Sequence, residues 1–574
     1  MIYALTIKNT MRYHVLATDY DGTIAWQGKV DNETIEALQK CKASSRKLIL
    51  VTGRELDELL TIFPKYDLFD LIVAENGAII FDPASKEEIL LGEKPPENFI
   101  NELKQKNVTP LSVGRVIVAT WEPYEAMVLQ AIHNAGIEYQ VIFNKGAVMV
   151  LPPGINKATG LQEALDRLKI SMHNVVAIGD AENDQAMFRI AECSAAVGNA
   201  LVSIKKEATI ITQKDHGAGV AELIASLIEN DLAFADERLT ESRLVIGKKG
   251  DHDFSLSAYR NGILLAGSSG GGKSTLTTAF IEALVETKHQ FCIIDPEGDY
   301  MDFPNAVVIG DGDHEPVIYE VMALLENVAQ NIVVCLLGIP LDRRPFFFNE
   351  FIAKFNAVKN NTGHPHWLII DECNHLVPAE MEDSFFNIPD NLMSVWLIST
   401  EARNINRSIL KYVDTVIAIG DEAAQILSGF AQIKDVSNKF SEVHGLPKGG
   451  AWVWEITQAA PLAIETRKPE HLSKRHIRKY ATGDMMYSAF IFKGPENKLN
   501  LKANNALMFV QMAEGVDDET WNFHLQRHDY TTWFADSLHD DELAQLAKGI
   551  ENTQTTAATS KDKILTLVRA RYIA

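Results

Sequence analysis

Cysteine is scarce in this chain: only Cys41, Cys193, Cys292, Cys335 and Cys373 occur in 574 residues, with no C-x-x-C pair. That argues against a disulfide scaffold or a thiolate zinc site and fits buried thiols in a reducing, cytoplasmic setting. No apolar run is long enough to span a bilayer, so no membrane partner is expected. Met1 to Thr10 lacks the apolar core of a signal peptide. Met11-Arg12-Tyr13 would make a natural start, which marks the first ten residues as an optional extension. Positive charge is also short: 54 Lys and Arg stand against 77 Asp and Glu, for a net charge of -23. Such a surface favours solubility and does not suggest a protein that coats nucleic acid, although a local basic channel is compatible with it. At this length one core does not suffice, and two to four domains are expected.

The chain does have short apolar runs that end in acidic or glycine-rich turns. Tyr13 to Ala17 reads as a buried strand and leads into Asp19-Tyr20-Asp21-Gly22-Thr23. Two carboxylates two residues apart at a strand end can hold a hard cation, and one of them can attack phosphorus. An Asx-Gly turn is the bland alternative for that stretch alone. Lys47 to Val51 reads as a second strand, ending in Thr52-Gly53-Arg54. Leu71 to Ala74 is a third, followed by the tight turn Glu75-Asn76-Gly77-Ala78. From about Phe81 to Met149 the pattern changes to an inserted α+β module, with strands at Arg115 to Ala119 and Ala147 to Leu151 around a helix near Tyr124 to Ala135. Arg115 and Lys145 are basic candidates within it, a solvated surface role being the plainer reading of each. Lys157 then opens a helix. The strand Val175 to Ile178 ends in Gly179-Asp180-Ala181-Glu182-Asn183-Asp184, a second acidic cluster at a strand's carboxyl end, where parallel α/β sheets build their sites.

These four motifs, in this order, resemble the haloacid dehalogenase-like phosphatases, specifically the Cof-type branch with a larger cap. The resemblance covers residues 11–228, with a Rossmann-like core at 11–82 and 150–228 and a cap at about 83–149. It implies that Asp19 is the nucleophile that forms an aspartyl-phosphate. It implies that Asp21 protonates the leaving oxygen and then activates water. Thr52 and Lys157 would bind the phosphoryl oxygens. Asp19, Asp180, Asp184 and the Asp21 backbone carbonyl would ligate Mg²⁺. The implied partner is a small phosphorylated substrate.

A second phosphate-binding pattern follows. Asp231 to Lys249 is charged and reads as a bridge between domains, with Leu244 to Gly247 as a first strand beyond it. The strand Gly262 to Ala266 runs into Gly267-Ser268-Ser269-Gly270-Gly271-Gly272-Lys273-Ser274-Thr275 and then a helix. This is G-x-x-x-x-G-K-S between a strand and a helix. Its backbone N–H groups can wrap phosphates, with Lys273 reaching the β- and γ-phosphates of ATP and Ser274 on Mg²⁺. Further strands are read at Phe291 to Ile294, Ile332 to Leu337, Trp367 to Ile370, Ser394 to Ile398 and Thr415 to Ile419. Asp371 and Glu372 follow the Trp367 strand, suited to an Mg²⁺ water shell and to polarising an attacking water. Residues 240–468 resemble the HerA/FtsK branch of P-loop ATPases, on Asp295-Pro296-Glu297-Gly298-Asp299-Tyr300, Asp371-Glu372 and the late strand Gly450 to Trp454. Glu401 stands where that branch usually has a polar sensor, and the branch's N-terminal barrel is replaced by the phosphatase. Both departures bear on DNA translocation and leave nucleotide hydrolysis untouched. The resemblance implies a homo-oligomer, a ring being one form, with Arg343, Arg344, Arg403 and Arg407 as candidates to reach a neighbour's ATP.

Residues 470–552 read as a small, mainly helical module. Its basic stretch His471 to Lys479 fits a solvated helix face or a phosphate backbone. Its aromatics Trp521, Phe523, Tyr530, Trp533 and Phe534 fit a helical core rather than base stacking. Residues 553–574 read as a linker and a short last helix. The whole is an α/β protein in which a Mg²⁺-dependent phosphomonoesterase is fused to an ATP-hydrolysing domain that regulates or assembles it. Three alternatives remain open at this level. They are a DNA-associated ATPase with an end-processing phosphatase, a polynucleotide kinase-phosphatase-like repair protein, and an ATP-gated scaffold.

Overall fold

A computed structural model describes residues 11–144, 146–239, 243–268, 270–437, 440–470, 489–538, 540–553 and 555–572. Lys145, the basic stretch His471 to Lys479 and the first ten residues lie outside the described residues. The chain forms two compact units, residues 1–296 with 305–468, and residues 297–304 with 469–574. Among the described residues no helix is long and apolar enough to cross a membrane. All five cysteines are free and buried.

The first unit begins with an eight-stranded sheet. Its order is Ile210–Ile211, Cys193–Ala196, Val175–Gly179, Val15–Thr18, Lys47–Val51, Leu71–Ala74, Ile79–Phe81 and Glu88–Leu90. The first six strands are parallel and the last two antiparallel. The central strands are buried along their whole length, as apolar runs covered by helices on both faces must be. Thr18 pairs in register with Ile178 on one side and Leu50 on the other. Asp19, Asp180 and Thr52 therefore leave three adjacent strands at the same edge.

The inserted module is a four-stranded antiparallel sheet in the order Ser112–Val113, Val118–Trp121, Ala147–Leu151 and Gln140–Asn144. Helices Glu97–Gln105 and Glu125–Ala135 cover it around a core that includes Phe99, Leu103, Val128 and Val148. The strand expected from Arg115 begins at Val118. Strand Gln140–Asn144 and helix Glu97–Gln105 were not read from sequence. That strand's residues are mostly half-buried, which blurs the period-two signal.

The charged stretch after residue 230 is not a free bridge in its first part. The Arg12 backbone N–H and the Arg46 guanidinium donate to Asp231, at 2.5 and 2.7 Å, and Arg12 Nη1 donates to Asp236 at 2.7 Å. These half-buried pairs fold residues 231–239 back onto the first sheet.

The same unit holds an eleven-stranded sheet. Seven parallel strands stand in the order Val413–Ile419, Gly262–Gly267, Val395–Ser399, Trp367–Ile370, Phe291–Asp295, Asn331–Cys335 and Ala306–Ile309. Four antiparallel strands extend it beyond Val413–Ile419: Gly450–Glu455, Leu462–Thr466, Arg243–Lys249 and His252–Ser257. The eight strands expected here are present, and Ala306–Ile309, His252–Ser257 and Leu462–Thr466 are added. The two sheets meet along a polar seam. Arg12 lies over the Tyr259 ring at 3.8 Å, the Tyr259 hydroxyl donates to the His173 carbonyl at 3.2 Å, and Lys169 pairs with Glu326 at 2.8 Å. Burial lowers His289 and His366, which also lie here, well below the ordinary imidazole value.

The second unit contains the hairpin Phe490–Phe492 with Leu501–Ala503 and helices Ala506–Gly515, Asp518–Gln526, Asp529–Asp536, Asp541–Glu551 and Ala557–Tyr572. Tyr530 to Phe534 lie within the helix Asp529–Asp536. One reading is corrected. The last helix begins inside the expected linker, and its Ile564, Leu565 and Val568 are buried in the module's core. Trp521, Tyr530, Trp533 and Phe534 are core residues, as the aromatic pattern suggested. Trp521 stacks on Tyr530 with 4.3 Å between centroids and donates from Nε1 to Ser560 Oγ at 3.0 Å. Trp521→Ala is expected to destabilise this module by about 3–5 kcal/mol. Urea unfolding of the full chain should show a new early transition, with the remaining transitions unmoved.

Candidate active site

Parallel strands leave their last side chains crowded at one edge, and here that edge collects charge. Lys157, first residue of the helix Lys157–Leu168, is buried and donates to Asp19 Oδ1 at 2.5 Å and to Asp184 Oδ1 at 2.6 Å. Asn156 caps that helix through its side chain and fixes where Lys157 starts. Asp184 Oδ2 accepts from the backbone N–H groups of Asp180 and Ala181, at 2.8 and 2.9 Å. Thr23 Oγ1 donates to Asp19 Oδ2 at 3.1 Å. Ligand atoms of Asp19, Asp180 and Asp184 lie within 4.8 Å of one another, all buried. Burial and the Asp184 carboxylate push Asp19 up, against the pull of the Lys157 ammonium. Burial alone would lower Lys157, and Asp184 and Asp19 raise it instead.

The backbone is shaped to this cluster. Gly22 has φ +86°, and a Cβ there would lie 2.3 Å from Asp180 Oδ2. A Cβ on Gly179 would lie 2.5 Å from the Asp184 carboxyl carbon. Three carboxylates facing one ammonium leave a negative excess, and their all-oxygen donor set fits a hard divalent cation such as Mg²⁺.

The sequence comparisons agree with this geometry. A family model described as haloacid dehalogenase-like hydrolase matches residues 16–115 and 121–224. A phosphoglycolate phosphatase of Nitrosopumilus maritimus is 32% identical over 229 residues, covering 38% of this chain and 97% of the relative. Phosphoglycolate phosphatase 2 of Saccharolobus solfataricus is 30% identical over 229 residues, covering 38% of this chain and 93% of the relative. The chain belongs to the haloacid dehalogenase-like hydrolases. A solved haloacid dehalogenase-like hydrolase from Bacteroides thetaiotaomicron is 20% identical with a TM-score of 0.33, covering 38% of this chain and 100% of that one.

Within the haloacid dehalogenase-like core, Asp21 stands apart from the carboxylate cluster. Its side chain is 46% exposed and is held in a two-pronged pair by Arg54, Nε to Oδ2 at 2.6 Å and Nη2 to Oδ1 at 2.7 Å. Thr52 is fully buried, and its Oγ1 accepts from the Arg54 N–H at 3.2 Å. Arg54 was not singled out in sequence, although it ends the Thr52-Gly53-Arg54 turn. Glu75 was read only as part of a turn. It is fully buried at φ +50°, and its carboxylate accepts from the backbone N–H groups of Arg115, Val116 and Ile117 at 2.8–2.9 Å. It thereby ties the turn between the strands Ser112–Val113 and Val118–Trp121 to the core. Arg115 itself pairs with Asp57 and Glu88 on the surface.

The glycine-rich loop after Gly262–Gly267 forms a second candidate site. Gly270 and Gly272 have φ of +81° and +104°. Lys273 heads the helix Lys273–Glu286, with Ser274 and Thr275 next, and its ammonium donates to the carbonyls of Gly267 and Ser268 at 2.8 and 3.1 Å. Asp371 and Glu372 follow the strand Trp367–Ile370, one strand removed from Gly262–Gly267. Glu372 has φ +39°, left-handed for a residue with a side chain. Of the arginine candidates, Arg344 is corrected: it is buried and donates to the Ile339 and Leu336 carbonyls, so it serves the fold. Arg343 pairs with Glu315 and Arg403 with Glu401.

Glu75→Ala leaves the buried N–H groups of Val116 and Ile117 without acceptors, at about 1–3 kcal/mol each, and frees the half-buried Arg115 N–H as well. Amide hydrogen exchange at residues 115–117 is expected to rise sharply, with the strand Val15–Thr18 staying protected.

Proposed function

We propose that this protein is a Mg²⁺-dependent phosphomonoesterase that works through an aspartyl-phosphate on Asp19, fused to a domain that binds and hydrolyses ATP. The convergence of Lys157, Asp19, Asp180 and Asp184 carries the first half. In this reading Asp19 attacks phosphorus, and Lys157 and the Thr52 hydroxyl bind the phosphoryl oxygens. Asp21 gives a proton to the leaving oxygen and then takes one from water. Its pairing with Arg54 holds it at the mouth of the site, where a leaving group would stand. Bound Mg²⁺ would supply charge neutralisation between the attacking carboxylate and the phosphate, held by Asp19, Asp180, Asp184 and the Asp21 carbonyl. Curated relatives that bear the name phosphoglycolate phosphatase make a small phosphate monoester carrying a carboxylate the first substrate class to try.

We take residues 11–228 as the phosphatase, 240–468 as a P-loop ATPase of HerA/FtsK type, and the rest as a helical accessory module. Strand order supports the ATPase reading. The Gly262–Gly267 strand lies where the order reverses, between Val413–Ile419 and Val395–Ser399, the place where open α/β sheets bind ligands. The strained Glu372 backbone fits a residue held for chemistry. In this reading Lys273 leaves its two carbonyls for the nucleotide's β- and γ-phosphates, and Glu372 polarises the attacking water.

Two variants separate the activities. Asp19→Asn is expected to abolish phosphate release from p-nitrophenyl phosphate and 2-phosphoglycolate while ATP hydrolysis continues. Asp21→Asn should cost about 10²–10⁴-fold in turnover. Lys273→Ala should abolish ATP hydrolysis and spare the phosphatase at zero ATP. Phosphatase turnover in Asp19→Asn equal to wild type would refute the first half, and undiminished ATP hydrolysis in Lys273→Ala the second.

A further inference from the structure

The turn Glu75–Gly77 follows the strand Leu71–Ala74 and takes no part in the chemistry proposed above. Its backbone is nonetheless unusual. Glu75, Asn76 and Gly77 stand in succession at φ of +50°, +56° and +106°. Two of the three carry side chains, for which that region is unfavourable. Glu75 and Asn76 are both buried. Such a conformation persists only where its surroundings over-determine it, and it clusters at functional sites.

The surroundings are the loops that carry the phosphoryl-binding groups. The Glu75 N–H donates to the Arg54 carbonyl and the Asn76 N–H to the Thr52 carbonyl, both at 2.9 Å. Asn76 Oδ1 accepts from Asn183 Nδ2 at 3.2 Å, inside the loop that presents Asp180 and Asp184. Gly77 lies against the start of the Lys157 helix. A Cβ there would be 1.9 Å from the Asn156 carbonyl oxygen and 3.1 Å from the Lys157 backbone nitrogen. The Glu75 carboxylate reaches the inserted module instead. Its Oε1 accepts from the Arg115 N–H and its Oε2 from those of Val116 and Ile117. The turn before them closes tightly on it, since a Cβ on Gly114 would lie 2.5 Å from Glu75 Oε1.

We propose that this turn makes the phosphoryl-binding geometry of the core conditional on the docked module, with Glu75 as the positioning residue that couples the two. With the module in place, three N–H groups satisfy the buried carboxylate and hold the left-handed turn. With the module lifted, the carboxylate loses all three donors and must find water. The turn that moves to expose it takes Asn76 and Gly77 along, and Thr52, Asn183 and the Lys157 helix start lose their fixed spacing. A phosphoryl group is then gripped for transfer only while the module covers the site and limits water there. The coupling is reciprocal, so an anion bound in the core also tightens the module's hold. This inference rests on the phosphatase reading of the site.

The test uses the full chain with Mg²⁺, and orthovanadate as the phosphoryl probe. In the wild type, hydrogen exchange of the Val116 and Ile117 amides is expected to slow when orthovanadate is added. Glu75→Gln keeps the size of the side chain and turns one acceptor into a donor. It is expected to lose that response, to weaken orthovanadate inhibition, and to lower kcat for p-nitrophenyl phosphate about 10²-fold. Asp57→Asn loosens the surface pair with Arg115 and keeps the Glu75 bonds, so kcat and the orthovanadate response should stay as in wild type. Undiminished kcat in a folded Glu75→Gln would overturn the coupling. So would wild-type amides 116 and 117 that ignore orthovanadate, a measurement that needs no variant to fold. A wild type that hydrolyses neither p-nitrophenyl phosphate nor 2-phosphoglycolate, yet slows at 116 and 117 with orthovanadate, would count against the phosphatase reading and uphold the coupling.

Discussion

The Lys157 ammonium, buried between Asp19 and Asp184, is the interaction on which the phosphatase half depends. Three carboxylates within 4.8 Å would repel one another in a low-dielectric edge. One lysine on a capped helix neutralises part of that charge, and the remainder is what a divalent cation balances. Everything nearby serves this geometry. Register sets Asp19 beside Asp180, the Asp180 and Ala181 N–H groups hold Asp184, and Gly22 and Gly179 clear space for the carboxylates. The position of a single ammonium thus links helix capping, strand order and the chemistry proposed for Asp19.

The same logic, phosphate chemistry at the carboxyl edge of a parallel sheet, recurs in the second sheet with different parts. There a glycine-rich turn and a helix start take the place of the carboxylate cluster, and Lys273 takes the place of Lys157. Neither sheet stands alone within its unit. Arg12 is bound to Glu192 and Asp236 and lies over Tyr259, so the first strand, the 231–239 segment and the second sheet share one buried guanidinium.

Much of this was legible in the sequence because it is local. Short apolar runs ending in Asp19, Thr52, Asp180, Gly267 and Asp371 state both the strand and the edge at which it ends. What escaped was long-range or irregular. Glu75 meets the N–H groups of residues 115–117 across some forty positions, and no period or motif announces that. Arg54 finds Asp21 only through folding. The helix Asp529–Asp536 follows a left-handed His528 and is too short for a helical period to register. His173, His289 and His366 meet at the seam from distant turns, so nothing in their spacing marks them as neighbours. The charged stretch after residue 230 looked like a linker because charge alone does not reveal that Arg12 and Arg46 pair with Asp231 and Asp236.

The central claim is that Asp19 carries the phosphoryl group. Borohydride reduction during turnover of 2-phosphoglycolate or p-nitrophenyl phosphate, followed by mass spectrometry of the peptide spanning residues 13–29, tests it directly. The account predicts that the reduced acyl-phosphate is found at residue 19 and nowhere else. Reduction at Asp21, or steady turnover with an unmodified Asp19, would contradict it.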